Sequence, residues 1–81
     1  MVITTKGPER VGLKVLIVDD DPTIRRLLSS LLVRRCGASV REAENGQAGL
    51  EAAVAELPDL LLLDVSMPVM DGPAFLTALR A

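Results

Sequence analysis

Four aspartates follow two apolar runs. Val15–Val18 leads into Asp19-Asp20-Asp21, and Leu60–Leu63 leads into Asp64, the first residue of Asp64-Val-Ser-Met-Pro-Val-Met-Asp-Gly72. Apolar runs of this length read as parallel strands buried on both faces. Parallel strands share their carboxyl edge, so Asp19, Asp20 and Asp64 converge if the two runs lie in one sheet. Crowded carboxylates repel one another. A bound cation relieves that repulsion, and carboxylate oxygens with room for water and phosphate suit Mg²⁺. A carboxylate can also accept a phosphoryl group as an acyl phosphate. Asp64 is the candidate nucleophile, and Asp19 and Asp20 are the candidate metal-holding pair. Asp21 is read as a helix cap.

The elements that must position these groups are legible from periodicity. Lys14–Val18 is the first strand. Asp21 supplies an N-cap and Pro22 a first helical residue. The helix that follows carries the stripe Ile24, Leu27, Leu28, Leu31 and Leu32, with Arg25, Arg26, Arg34 and Arg35 off it. The Arg cluster reads first as a solvated helix face. Gly37 ends the helix as a left-handed cap. Ser39–Glu42 is a short second strand with Val40 inward. Asn45-Gly46 starts a second helix with the stripe Leu50, Ala53, Val54 and Leu57, and Pro58 terminates it. Leu60–Leu63 is the third strand. Asp71-Gly72-Pro73 caps a third helix with Phe75, Leu76 and Leu79 inward. The order β-α-β-α-β-α predicts an α/β, doubly wound parallel sheet with right-handed crossovers. Strand order 2-1-3 puts the topological reversal between strands 1 and 3, where ligands bind. The first helix is expected on one face and the second and third on the other.

Composition excludes several function classes. The chain has 81 residues and no His, which removes His-based metal sites, Ser-His-Asp triads and His phosphotransfer. The net charge of −2 argues against a nucleic-acid surface. Phe75 is the single aromatic residue, so no base-stacking platform exists. One Cys, Cys36, cannot form an internal disulfide and reads as a small packing residue near a helix end. No run approaches a membrane span, so a cytoplasmic location is expected. No general base, oxyanion feature or phosphate-cradling Gly loop points to an ordinary enzyme.

Lys14-Val-Leu-Ile-Val-Asp-Asp-Asp-Pro22, Ala43-Glu-Asn-Gly46, Pro58-Asp-Leu-Leu-Leu-Leu-Asp64, Met67-Pro68 and Met70-Asp71-Gly72 together resemble the receiver domain of two-component response regulators. The expected organisation is a flexible lead-in over residues 1–12 and a partial receiver over 13–81. The resemblance implies a flavodoxin-like fold, a phosphoacceptor at Asp64 and Mg²⁺ as cofactor. It implies that Asp20 binds the ion directly, that Asp19 acts largely through water, and that the Ser66 backbone carbonyl is a further ligand. A sensor histidine kinase or phosphotransfer protein is the implied partner, with the first helix as its docking element.

Receiver domains normally have five βα units, and this chain matches three. The units that would supply a Ser or Thr switch and a phosphate-pairing Lys are expected to be missing: the lysines here are Lys6 and Lys14. Two functions follow. One is a phosphoacceptor module, or a fragment of one. The alternative is a receiver-like binding or assembly module without competent phosphotransfer. A chain this small buries only roughly 60% of its unfolded surface and is marginal alone. Self-association is therefore expected, through an unpaired Leu60–Leu63 edge or through the apolar faces of helices.

Overall fold

The computed structural model describes residues 2–4, 12–64 and 77–78. Four strands form one sheet: β1 (Val2–Thr4), β2 (Lys14–Val18), β3 (Ser39–Ala43) and β4 (Leu60–Leu63), in the order β1-β4-β2-β3. β2 is central and parallel to both β3 and β4. Two helices are described from end to end, α1 (Pro22–Cys36) and α2 (Gly46–Ala55). The three parallel strands reproduce the expected 2-1-3 arrangement and the flavodoxin-like fold.

The central strand is apolar on both faces because each face carries a helix. Leu16, Val18, Leu61 and Leu63 pack with Ala53 and the partly buried Ala48, Leu50 and Ala52 of α2. Val15 and Ile17 pack with Ala38 on the opposite face, against Leu28 and Leu32 of α1. The two helices thus cover opposite faces, as expected.

Local chemistry fixes where each helix begins and ends. The Asp21 carboxylate accepts from the amides of Thr23 (2.9 Å) and Ile24 (3.3 Å), satisfying donors that have no partner within the helix. Gly37 closes α1 at φ 62°, a left-handed conformation that glycine adopts without the Cβ penalty. Asn45 caps α2 by accepting from the Ala48 amide at 2.8 Å. α2 stops at Ala55, three residues before Pro58, and Glu56 is extended.

The structure departs from expectation in several places. Val2–Thr4, inside the stretch expected to be a lead-in, forms β1 and pairs antiparallel with β4. The β4 edge expected to be unpaired is therefore occupied. On α2, Val54 and Leu57 do not face the core: Val54 is 70% exposed, and Leu57 lies past the helix end. The buried residues of α2 are Gly46, Gly49 and Ala53, all small. On α1, Leu28 and Leu32 reach the core, whereas Ile24, Leu27 and Leu31 form an exposed apolar face. Cys36 is exposed rather than packed. Of the expected third helix, Thr77 and Ala78 are helical. Phe75, Leu76 and Leu79 lie outside the described residues.

Candidate metal centre

Strand register brings the acidic groups together. Val18 of β2 pairs with Leu63 of β4 and with Ala43 of β3. The ladders run one step further: the Asp64 amide donates to the Val18 carbonyl at 2.9 Å, and the Asp19 amide donates to the Ala43 carbonyl at 3.1 Å. Asp19 and Asp64 are thus neighbours at the carboxyl end of adjacent parallel strands, which lie about 4.8 Å apart. Asp20 follows Asp19 into the turn before α1. One carboxylate oxygen each from Asp19, Asp20 and Asp64 falls within 4.8 Å of the others. Asp20 is exposed, and Asp19 and Asp64 are half-buried.

A donor set of three carboxylates suits a hard divalent cation. Ligands on opposite sides of one Mg²⁺ are about 4.2 Å apart, from a metal–oxygen distance near 2.1 Å. A spread of up to 4.8 Å is slightly wider than that. Three carboxylate oxygens within that bound can converge on one hard cation. The Asp19 carboxylate is tied to the turn that follows it: its Oδ1 accepts from the Asp21 amide at 2.9 Å. Ser66, the fourth expected ligand, lies outside the described residues, as do Met67-Pro68 and Met70-Asp71-Gly72.

Arg25 does not belong to a solvated face. Its Nη1 donates to the Asp19 carbonyl at 2.7 Å and its Nε to Glu42 Oε1 at 3.1 Å, with the side chain only 14% exposed. It ties α1 to the turn that carries the acidic pair and to β3. The sequence held a signal for this: Arg25 lies three and seven residues before Leu28 and Leu32, the residues that face the sheet.

Lys14, the lysine among the described residues, sits at the opposite end of β2 from the carboxylate cluster. Its Nζ donates to Glu56 Oε2 at 2.9 Å, and its amide donates to Asp59 Oδ2 at 2.8 Å. That Lys14 contact, with Arg41 beside it, holds the Glu56 carboxyl below its ordinary pKa.

A cavity of ≈ 340 Å³ adjoins the acidic edge. Asp19 and Asp64 line one part of it, and Ile17, Leu28, Leu62 and Val2 line the rest. Among the described residues no helix is long and apolar enough to cross a membrane.

The chain has relatives among known proteins. A family model described as "Response regulator receiver domain" matches residues 15–81. The chain is 48% identical over 69 residues to protein-glutamate methylesterase/protein-glutamine glutaminase 1 of Oleidesulfovibrio alaskensis, covering 84% of this chain and 18% of that protein. It is 40% identical over 67 residues to the chemotaxis protein CheY of Bacillus subtilis, covering 83% and 53%. The structure of Vibrio cholerae chemotaxis protein CheY4 superposes with a TM-score of 0.78 at 38% identity, covering 86% of this chain and 57% of that one. The chain thus spans about half the length of these two chemotaxis proteins and about a fifth of the methylesterase.

Proposed function

The chain belongs to the response regulator receiver domain family, and from that premise we propose that it is a cytoplasmic phosphoacceptor module of a two-component relay, with Asp64 as acceptor. The observation that carries this reading is the convergence of Asp19, Asp20 and Asp64 within 4.8 Å. In the proposed reaction an Asp64 oxygen attacks the phosphorus of a phosphohistidine on a sensor kinase or phosphotransfer protein. The P–N bond breaks, the imidazole leaves with its electron pair, and Asp64 carries the acyl phosphate. Asp20 and Asp64 would hold Mg²⁺ directly, Asp19 largely through water, and the Ser66 carbonyl would complete the protein ligands. The ion neutralises charge on the phosphoryl oxygens, which is where much phosphoryl-transfer catalysis resides. Arg25 holds the Asp19 backbone in place. The rest of α1, with Arg26, Arg34 and Arg35 exposed, is the proposed docking element for the donor.

One observation favours the second reading, an assembly module without competent transfer. Lys14 is engaged with Glu56 and Asp59, away from the acidic edge. Among the described residues, therefore, no ammonium group stands ready to pair with a phosphoryl group there. The exposed Ile24, Leu27 and Leu31 face supports self-association through α1 in either case.

Incubation with acetyl phosphate and Mg²⁺, followed by intact-mass analysis and peptide mapping, separates the two. The phosphoacceptor reading expects slow, partial phosphorylation on Asp64 that requires Mg²⁺ and vanishes in Asp64→Asn. The assembly reading expects none. Equal phosphorylation of Asp64→Asn would overturn the assignment of the acceptor.

A further inference from the structure

β4 is the most vulnerable strand of this sheet. Its four residues are all leucine, with no charge, proline or bulge to discourage another chain from pairing. One edge is used by β2, from Val15↔Leu60 to Val18↔Leu63. The other edge is covered by β1 through three register pairs, Val2↔Leu62, Ile3↔Leu61 and Thr4↔Leu60. All three β1 residues are β-branched and suit an extended backbone. A strand of three residues has few backbone bonds to hold it, and its first side chain, Val2, is 65% exposed. Segments of that kind open locally without global unfolding.

We propose that β1 is a detachable edge strand, which closes β4 within one chain and thereby blocks β4 from pairing with β4 of a second copy. Antiparallel β4–β4 pairing would be self-complementary about a two-fold axis, so the occupant of the released edge is a second copy of this chain. Val2 also walls the cavity beside Asp19 and Asp64. Release of β1 therefore uncovers the acidic edge at the same time.

A single variant of the chain tests this, Val2→Cys/Leu62→Cys with Cys36→Ala. Directly opposed residues on antiparallel strands are close enough for a disulfide. Oxidation is expected to link the two cysteines within one chain and lock β1 in place. By sedimentation, the reduced form is expected to self-associate at least about tenfold more tightly than the oxidised form, because only the reduced form can release the edge. Association through α1 contributes equally to both forms and cancels. Equal association, or links only between chains, would overturn the proposal. Hydrogen exchange on the unmodified chain gives an independent reading. Alternate β4 amides facing β1 should exchange at least about tenfold faster than those facing β2. Equal rates would mean that β1 opens only with the whole fold, and the detachable strand would be wrong.

Discussion

Leu16→Ala is expected to lower the stability of the fold by about 2–5 kcal/mol, the largest loss of any single substitution considered. Leu16 is fully buried in the central strand and packs with Val18, Leu61, Leu63 and Ala53. Truncating a buried leucine costs about 2–5 kcal/mol, from lost burial and from the cavity left behind. A domain of this size has a total stability on the order of 5 kcal/mol. The substitution therefore removes a large part of what holds the sheet under α2. Val54→Ala, on the same helix but 70% exposed, is the control and should stay within about 0.5 kcal/mol of the parent. Urea titration followed by far-UV circular dichroism measures both. A loss under about 1 kcal/mol for Leu16→Ala would mean that the core is not built around this strand.

Arg41→Ala should have the second-largest effect on stability. Arg41 lies on β3, opposite Leu16 in register, and reaches over to the end of α2. Its Nη1 donates to the Ala52 carbonyl at 2.7 Å, and its Nη2 donates to the Glu56 carbonyl. These are carbonyls at the C-terminal end of the helix, where the helix dipole favours a cation. Charge-assisted hydrogen bonds of this kind contribute about 1.5–3 kcal/mol. Arg41→Lys should recover less than half of the loss, because an ammonium cannot reproduce the planar fork that serves two carbonyls. Full recovery in Arg41→Lys would reduce the contact to a charge effect on Glu56, which lies 3.9 Å from Arg41 Nε. The same denaturation experiment decides it.

The parts of the fold that were legible are those where one residue type has one physical use. Asp21, Pro22 and Gly37 mark the ends of α1 because an N-cap acceptor, a donor-free first residue and a left-handed cap each demand that chemistry. Val15–Val18 and Leu60–Leu63 read as buried strands because a strand covered on both faces has no polar positions. The inward face of α2 was misread for the same kind of reason. Gly46 and Gly49 carry no hydrophobic signal, yet both are buried. Val54 carries a strong signal and faces water. β1 was not legible at all. Three residues give no period, and what makes them a strand is pairing with β4, more than fifty positions away in the chain. The candidate site was legible as residue types ending two strands. Its convergence depends on the register that aligns Val18 with Leu63, which sequence does not display. Arg25 reads as a surface charge by residue type, and its partners, a backbone carbonyl and a side chain on another element, exist only once the chain is folded.

Titration of the isotopically labelled chain with Mg²⁺, followed residue by residue by NMR, tests the central claim most directly. If Asp19, Asp20 and Asp64 form one cation site, their amide signals move together and saturate at a single midpoint. Asp20→Ala should raise that midpoint at least about tenfold, equivalent to about 1.4 kcal/mol of binding free energy. Glu44→Ala, an exposed carboxylate on the turn after β3, should leave it unchanged. An undiminished response in Asp20→Ala, or shifts centred away from the ends of β2 and β4, would contradict the account.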